Sequence, residues 1–380
     1  MRHRLDFIRI PTLVLFILVS LTVPAQAQHT AAEQAILLDY ETGQVLYEKN
    51  ADQRMPTSSM SKVMTMYVVF EALKDGRMRL EDTLPVSEKA WRKGGSKMFV
   101  EAGERVEVEK LIKGVVVQSG NDATIVLAEG LAGSEDAFAV ALNSEAEKLG
   151  MDDSHFVNAS GWPHPEHYST ARDLAKLAIA LIREYPQFYD YYSIKEFTYN
   201  DITQKNRNPL LYRNIDVDGI KTGHTEVAGY GLIASGERNG RRIVLVINGL
   251  DNERARAEES ARLIEWGFRG FENLSLFQEG ETVEQAPVLL GQDETVPLVA
   301  DQEVKLTLPS SKKHKIEVSV HYKAPVPAPV EAGTQLATLR VSMPGMPNQE
   351  FPLYAGEPVN KLGLLTRTLA KARIFLLGAP

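Results

Sequence analysis

Two segments with the pattern of a β-hairpin stand far apart in this chain and enclose a long run of helical periodicity. Residues 33–50 alternate around a turn at Glu41-Thr42-Gly43, and residues 231–248 turn at Asn239-Gly240, a pair that strongly favours a two-residue hairpin. Helical spacing returns at residues 252–268. We therefore predict an α/β (α+β) domain in which early and late strands form one antiparallel sheet with a helical insert. The predicted helices of the insert are residues 60–73, 108–132 with a break at Ser119-Gly120, 134–149 and 170–184.

The composition changes after residue 273. Prolines and β-branched residues become more frequent, helical periodicity disappears, and short alternating runs occur at residues 305–308, 315–322 and 335–341. This pattern predicts a small all-β domain over residues 274–355. The larger domain before it then spans residues 28–273.

The C-terminal segment, residues 356–380, is predicted to be an amphipathic helix. Within residues 358–377 the apolar side chains form one stripe, made of Leu362, Leu365, Leu369, Ala372 and Leu376. Positive charge comes from Lys361, Arg367, Lys371 and Arg373, and no acidic residue follows Glu357. Such a helix suits an anionic membrane surface, which we favour over docking on the rest of the protein.

The N-terminus has the layout of a secretory signal peptide over residues 1–27. Arg2 and Arg4 precede an almost uninterrupted apolar run at residues 12–23, and small residues then lead to a predicted cut after Ala27. The run is short for a membrane-spanning helix, which needs roughly 20 residues. We therefore predict an exported, peripheral protein on the periplasmic face of the cytoplasmic membrane.

Charge, cysteine content and missing motifs exclude several classes of function. The formal net charge of −8 argues against nucleic acid as the main partner, because binding phosphates needs a basic surface. The chain has no cysteine, so disulfides and a cysteine-linked lipid anchor are excluded. It has no H-E-x-x-H, phosphate-loop or dinucleotide motif, and we predict no metal or other cofactor. We interpret His164 and His167 as two surface histidines.

Ser59 and Lys62 are candidates for a nucleophile and its base. Residues three apart share one face of a helix, so the amine can reach the hydroxyl. A serine needs a neighbouring base, and a lysine can be that base only if burial or a second cation, such as Lys221, lowers its pKa. The S-x-x-K pattern alone is weak. It also occurs at Ser310-Ser311-Lys312-Lys313, which we interpret as a solvated loop.

Two further motifs strengthen this interpretation. In Ser119-Gly120-Asn121, the serine could relay a proton toward a leaving amine and the Asn121 amide could hold a substrate carbonyl. In Lys221-Thr222-Gly223, the lysine could bind a terminal carboxylate, and the glycine would let a substrate backbone lie close. We place this motif just before a strand that begins near Gly229. The order and spacing of the three motifs make the joint match specific.

Together the motifs resemble those of penicillin-binding proteins and class A β-lactamases. The strongest similarity is to low-molecular-mass penicillin-binding proteins, the serine-type D-alanyl-D-alanine carboxypeptidases, and it extends over nearly the whole chain. The matching stretches are Gln118-Ser119-Gly120-Asn121-Asp122-Ala123, Asn206-Arg207-Asn208 and Val217-Asp218-Gly219-Ile220-Lys221-Thr222-Gly223-His224-Thr225. The resemblance implies a serine penicillin-binding/β-lactamase-like catalytic domain. It also implies release of the terminal D-alanine from peptidoglycan pentapeptides through an acyl-enzyme, with β-lactams as covalent inhibitors.

The resemblance also implies a role for each matching residue. Ser59 would be acylated, with Lys62 as its base, and the backbone N–H groups of Ser59 and His224 would form the oxyanion hole. Ser119 and Asn121 would line the second wall of the site. The remaining substrate-binding residues would be Lys221, Thr222, Gly223 and Arg207, with both cations near the substrate carboxylate. Residues 158–167 depart from the family pattern, which bears on rate and substrate preference.

Three alternatives share parts of this pattern. A β-lactamase would use the same acylation residues, but the E-x-x-L-N pattern of class A is absent. A non-catalytic peptidoglycan-binding or scaffold protein would not need three intact motifs. An endopeptidase side activity on cross-linked peptides stays compatible with the sequence.

Overall fold

The computed structural model describes residues 29–311, 316–343 and 348–369. The predicted signal peptide lies outside the described residues, as do Lys312 and Lys313 of the second S-x-x-K match. Ser310 and Ser311 of that match are exposed in a turn.

Helices dominate the first part of the described chain, and strands dominate the last part. The α-helices are α1 (Lys62–Lys74), α2 (Glu88–Arg92), α3 (Val108–Gln118), α4 (Asn121–Ala132), α5 (Glu135–Lys148), α6 (Ala171–Glu184), α7 (Pro186–Tyr189) and α8 (Glu253–Gly270). The strands before α8 are β1 (Gln34–Asp39), β2 (Val45–Lys49), β3 (Thr83–Pro85), β4 (Arg105–Glu107), β5 (Glu196–Tyr199), β6 (Ile202–Lys205), β7 (Val217–Thr225), β8 (Gly229–Arg238) and β9 (Arg241–Leu250). The strands after α8 are β10 (Phe271–Phe277), β11 (Thr282–Leu289), β12 (Thr295–Ala300), β13 (Val304–Pro309), β14 (Glu317–Tyr322), β15 (Val326–Pro327), β16 (Gln335–Ser342) and β17 (Gln349–Ala355).

The central sheet is antiparallel and combines both predicted hairpins. Its described strands have the order β2-β1-β9-β8-β7, and β1 pairs with β9 so that Leu37 faces Leu245. Asn239 and Gly240 join β8 to β9 with φ values of 53° and 77°, the positive values that a type I′ turn requires. The prediction that early and late strands share one sheet is confirmed.

Both faces of this sheet are buried, and successive residues alternate between them. Leu37 of β1 packs with Leu263 and Ile264 of α8, whereas its neighbour Ile36 packs in a larger core built around α1 and α6. Because α1 is apolar and buried on nearly every side, it forms the centre of that core. The helices predicted for the insert are confirmed, including the break between α3 and α4 at Ser119-Gly120.

The strand predicted to begin near Gly229 is confirmed as β8, and Lys221-Thr222-Gly223 precedes it. The motif itself lies in a further strand that was not predicted. This strand is β7, the edge strand of the central sheet, where Lys221 pairs with Ile233 of β8. The pattern of β7 was obscured because its five buried positions are occupied by Lys221, Thr222 and two glycines, with Ile220 as the one buried apolar side chain.

The strands after α8 form an all-β region, as predicted. β10 pairs with β13, and a second sheet has the described strand order β14-β16-β17-β12-β11-β15. Leu298, Leu339 and Leu353 lie in its core. The strands predicted at residues 305–308, 315–322 and 335–341 correspond to β13, β14 and β16, although Lys315 lies outside the described residues. The proposed domain boundaries stay predictions.

The predicted start of the C-terminal helix at Pro358 is wrong. Val359 and Lys361 instead form isolated bridges with Val330 and Gly291, because the Val359 side chain is buried in the core of the all-β region. Residues 364–369 are helical, and their three leucines, Leu364, Leu365 and Leu369, are exposed. Ala372 and Leu376 of the predicted stripe lie outside the described residues. Within the described ranges, no helix combines the length and apolar character needed to cross a membrane.

A polar network joins the first hairpin to the all-β region. Asp39 is fully buried and accepts hydrogen bonds from Arg241 Nε at 2.8 Å and from Asn273 Nδ2 at 3.2 Å. The hydroxyl oxygens of Thr42 and Thr307 lie 2.6 Å apart. Since these groups are specific partners at the junction, they fix the position of β10 and β13 beside the central sheet.

Candidate active site

Ser59 and Lys62 lie where a short 3-10 turn, Ser58–Ser61, runs into α1. Lys62 is the first residue of α1 and is fully buried. Its Nζ donates hydrogen bonds to Ser59 Oγ at 2.9 Å, to Asn121 Oδ1 at 2.7 Å and to the Ser160 carbonyl at 2.6 Å. These three acceptors match the three protons of an ammonium group. After loss of one proton, the lone pair of the neutral amine can face the Ser59 hydroxyl.

The surroundings of Lys62 favour its neutral form. Burial lowers its pKa to about 7, and the positive charges of Arg207 and Lys93 lower it further, against a smaller opposing effect of Asp122. A lysine with this pKa is partly neutral near neutral pH and can accept a proton. The second cation anticipated from the sequence was Lys221, whereas the charges that act most strongly on Lys62 are those of Arg207 and Lys93.

The second wall of the site is formed where α3 ends and α4 begins. Ser119 adopts a left-handed conformation with φ of 62°, and its buried hydroxyl has no hydrogen-bond partner among the described residues. Asn121 Oδ1 receives the Lys62 bond, and one N–H of its Nδ2 goes to the Gly94 carbonyl at 2.9 Å. A free serine hydroxyl and a second amide N–H are therefore available to a substrate.

Asp122 is a positioning residue that the sequence analysis did not single out. Its fully buried carboxylate accepts hydrogen bonds from the backbone N–H groups of Met98, Phe99 and Val100. It therefore holds the loop before β4 against the start of α4, next to Asn121. The sequence signal that could have revealed Asp122 is its position directly after Ser119-Gly120-Asn121.

Strand β7 forms the opposite wall and packs tightly on the Ser58–Ser61 turn, called the nucleophile turn here because it carries the candidate nucleophile Ser59. A Cβ atom at Gly223 would lie 2.9 Å from the Thr57 carbonyl oxygen, so a larger residue would push the strand away. Ser58 Oγ lies 3.2 Å from Thr225 Oγ1. The segments that carry the backbone N–H groups of Ser59 and His224 are therefore neighbours, as an oxyanion hole requires. The His224 ring stacks on Tyr230 at 3.8 Å between ring centroids.

Lys221 is a buried cation whose one described acceptor is the Thr222 carbonyl, at 3.0 Å. Burial, and then the charges of Lys62, Arg207 and Arg256, hold its pKa well below the ordinary range of a lysine. Thr222 is buried beside it. A site with several cations and little compensating negative charge is suited to an anionic group of a ligand.

Arg256 belongs to this cationic cluster and was missed in the sequence. It lies in the first turn of α8 and is buried, and its Nε has no hydrogen-bond partner among the described residues. Its Nη2 lies 3.9 Å from a carboxylate oxygen of Glu253, which is too long for a hydrogen bond. Arg256 shares the buried side of α8 with Ser260, Leu263 and Ile264. An arginine at a core position of an amphipathic helix was therefore the signal that could have revealed it.

Residues 158–168 form a loop that closes the base of the site. Its Ser160 carbonyl accepts from Lys62, and Gly161 has φ of +74° with no room for a side chain, since a Cβ atom would lie 1.8 Å from the Ser58 carbonyl oxygen. The Asn158 side chain makes two hydrogen bonds with the Trp162 backbone. Its Oδ1 accepts from the Trp162 N–H at 2.9 Å, and its Nδ2 donates to the Trp162 carbonyl at 3.0 Å. The contacts of Ser160 with Lys62 and of Gly161 with Ser58 therefore hold the loop against the nucleophile turn.

The interpretation of His167 as a surface histidine is wrong. Its side chain is buried, with 3% of its surface exposed. The Val157 N–H donates to Nδ1 at 3.2 Å, so Nε2 carries the proton and donates to Ser61 Oγ at 2.7 Å. Burial, followed by the charges of His155, Lys62 and His164, lowers its pKa to about 4. His164 is exposed, and the described ranges contain no cluster of three His, Asp or Glu side chains that could hold a metal.

This geometry defines a class of protein. A serine hydroxyl bonded to a buried amine, beside a cationic pocket, is the arrangement of serine acyl-transferring enzymes that use a lysine base. The sequence pattern of D-alanyl-D-alanine carboxypeptidases (peptidase S11) matches residues 21–252, and that of the penicillin-binding protein 5 C-terminal domain matches residues 271–361. The chain belongs to the D-alanyl-D-alanine carboxypeptidase family, within the low-molecular-mass penicillin-binding proteins.

Individual relatives agree with this assignment. The D-alanyl-D-alanine carboxypeptidase DacA of Escherichia coli K12 is 39% identical over 330 residues, which cover 85% of this chain and 82% of that protein. The crystal structure of penicillin-binding protein 5 from Haemophilus influenzae has a TM-score of 0.83 at 34% identity, covering 88% of this chain and 99% of that one. Penicillin-binding protein D2 from Listeria monocytogenes, solved with ampicillin and with cefotaxime, has a TM-score of 0.59 at 30% identity, covering 63% and 98%.

The low pKa of His167 predicts a pH-dependent stability. At pH above about 6.5 the histidine is neutral in both the folded and the unfolded protein, and its contribution to stability is fully present. As the pH falls from 6.5 toward 4, the unfolded chain binds a proton that the folded protein excludes, so the free energy of unfolding decreases. We expect a decrease of about 3 kcal/mol from this residue, at about 1.4 kcal/mol per pKa unit.

Denaturant titrations across this pH range measure the effect. His167→Gln should lose this part of the pH dependence, whereas His321→Gln, a change at an exposed histidine of the all-β region, should keep it. Equal pH dependence in the native protein and His167→Gln would contradict the assignment.

Proposed function

We propose that this chain is a serine-type D-alanyl-D-alanine carboxypeptidase that removes the terminal D-alanine from peptidoglycan pentapeptides through an acyl-enzyme on Ser59. The observation that carries the proposal is the 2.9 Å contact between Lys62 Nζ and Ser59 Oγ, made by a buried amine with a pKa of about 7. The names of the relatives support the substrate class, and the ampicillin and cefotaxime complexes of the Listeria protein support β-lactams as acylating inhibitors.

Acylation begins when neutral Lys62 takes the proton of the Ser59 hydroxyl. Oγ attacks the carbonyl carbon of the penultimate D-alanine, and the backbone N–H groups of Ser59 and His224 stabilise the oxyanion. The C–N bond then breaks. The leaving amine takes the proton held by Lys62 through the Ser119 hydroxyl, which has no other described partner, and Lys62 is neutral again. Lys62 then takes a proton from the water that attacks the ester and returns it to Ser59 Oγ as the acyl group leaves.

The carboxylate of the leaving D-alanine binds among Lys221, Arg207 and Arg256. Because burial and mutual repulsion disfavour the charge on Lys221, an incoming carboxylate relieves that repulsion and raises the lysine's pKa. Binding therefore selects peptides that end in a free carboxylate. Asn121 holds the peptide from the other wall through its remaining amide N–H.

Release of free D-alanine from a peptide ending in D-Ala-D-Ala tests the nucleophile. We expect release by the mature protein and a loss of at least about a thousandfold in Ser59→Ala, because the covalent step is removed. Ser310→Ala, at the exposed serine of the second S-x-x-K match, is the matched control and should retain activity. No release by the native protein would instead favour a binding or scaffold role, and rapid turnover of penicillin would favour a β-lactamase.

The pH dependence of acylation tests Lys62. The neutral amine is the active form, so the acylation rate by a chromogenic β-lactam should rise with pH through about 7 and fall about tenfold per unit below it. Lys62→Arg keeps a positive charge but cannot lose its proton, and we expect it to remain folded and inactive. A flat rate between about pH 5.5 and 8 would rule out this base.

We propose further that residues 1–27 direct export and that the C-terminal segment holds the mature protein on the periplasmic face of the cytoplasmic membrane. The support is the exposure of Leu364, Leu365 and Leu369 in a segment whose nearby charges are positive. Residues 364–369, the described helical part of the segment, contribute no strand to the central sheet, so we expect a chain that ends before them to keep its catalytic activity.

Vesicle sedimentation measures the membrane contact. The mature chain should bind vesicles that contain anionic lipid, and a chain ending at Gly363 should not, while both release D-alanine at the same rate. Raising the salt concentration should weaken binding. Equal sedimentation of the two chains would contradict the proposed contact.

A further inference from the structure

Tyr230 lies near the start of β8, beside the end of β7 that carries His224. The two residues are paired across the strands, and their rings stack with 3.8 Å between centroids and 29° between planes. On its other side, Tyr230 pairs with Leu250 of β9. The ring is partly buried and packs against the apolar core between the central sheet and α8. These contacts fix the ring within the sheet.

The Tyr230 ring also contacts the cationic cluster. The Cζ atom of Arg256 lies over the ring at 5.5 Å from its centroid. A guanidinium group within about 6 Å of an aromatic centroid is attracted to the negative face of the ring. Because Arg256 is only 5% exposed, the contact is shielded from water, and the attraction is stronger than at an exposed site.

Few other described contacts attract the Arg256 guanidinium. Its Nε has no hydrogen-bond partner among the described residues, and the carboxylate of Glu253 is 3.9 Å away on a side chain that is 78% exposed. The positive charges of Arg207 and Lys221 oppose that of Arg256. A cation in this position needs a further attractive contact to stay beside Lys221, and the face of the Tyr230 ring supplies it.

We propose that Tyr230 is a positioning residue, which holds Arg256 where the guanidinium meets the terminal carboxylate of the substrate. The inference rests on the proposed function, in which that carboxylate binds among Lys221, Arg207 and Arg256. Loss of the ring should therefore weaken the recognition of a free carboxylate. It should have much less effect on a substrate that lacks this negative charge.

A pair of peptides that differ only at the C-terminus tests the role of Tyr230. A peptide ending in D-Ala-D-Ala is compared with the same peptide ending in an amide, and kcat/KM is measured by release of D-alanine or D-alaninamide. The native protein should prefer the free acid by at least about thirtyfold, since the amide leaves buried cations without a partner. Tyr230→Leu should lower this ratio about tenfold. The loss should appear in KM, because the carboxylate is bound before and during the reaction.

Two variants serve as controls for the loss of the ring. Tyr230→Phe keeps the aromatic face and should keep the ratio within about twofold. Phe268→Leu removes the ring of another cation–π pair at the opposite end of α8, in which Arg238 Cζ lies 4.5 Å from the ring centroid. It should also keep the native ratio. A general loss of stability would lower the rates with both peptides and leave their ratio unchanged.

A double-mutant cycle shows whether Tyr230 acts through Arg256. Arg256→Gln should lower the ratio, and adding Tyr230→Leu should then change it by less than about twofold. Tyr230→Met, which also lacks a ring, replaces Tyr230→Leu if that variant does not fold. A native ratio in the ringless variant, or effects of the two substitutions that simply add, overturns the inference and leaves the carboxypeptidase assignment standing. No release from either peptide by the native protein would instead overturn the proposed function.

Discussion

The structure depends on the burial of one amine, that of Lys62. A fully buried ammonium group costs several kcal/mol unless each proton has a partner. The three partners come from three different parts of the chain, namely the nucleophile turn, the start of α4 and the loop at Ser160. These segments can meet only if α1 occupies the middle of the helical layer, which explains why α1 is buried on nearly every side. The same burial lowers the pKa of Lys62 to about 7, which is the property that the proposed base requires.

The positive charges around the site repel one another and so disfavour the protonated forms of Lys62 and Lys221. Lys62, Lys221 and Arg256 are buried and Arg207 is exposed, and the charges of Lys62, Arg207 and Arg256 act on Lys221. Burial and this repulsion disfavour the charge on Lys221, whereas burial, followed by the charges of Arg207 and Lys93, keeps Lys62 partly neutral. In the proposed binding mode, a carboxylate beside Lys221, Arg207 and Arg256 compensates their positive charge. Because the charge of Arg207 also acts on Lys62, the proposed binding of substrate is connected with the pKa of Lys62 through charge.

Much of the fold follows from local sequence signals, whereas parts of the site do not. The central sheet was predictable because Asn239-Gly240 has strong turn chemistry and because apolar residues keep helical spacing through the insert. The pairing of Ser59 with Lys62 and their approach to Ser119-Gly120-Asn121 could be anticipated because each motif is short and continuous. Strand β7 was missed because a catalytic strand buries Lys221 and Thr222 where an ordinary strand buries apolar residues. His167 and Arg256 were missed because their roles depend on burial created by distant segments.

The close contact of Gly161 with the Ser58 carbonyl divides the loop of residues 158–168 into positions that tolerate few substitutions and positions that tolerate more. Ser160, Gly161 and His167 hold the base and the nucleophile turn, and any side chain at Gly161 would collide with the Ser58 carbonyl. The tip between them, residues 162–165, contacts neither Ser59 nor Lys62 in any reported hydrogen bond among the described residues. Substitutions at residues 162–165 can therefore accumulate without displacing Lys62 or the Ser58–Ser61 turn, whereas substitutions at Gly161 and His167 disturb both the loop and the turn. Among related enzymes, we accordingly expect sequence divergence in this loop to concentrate at those four positions.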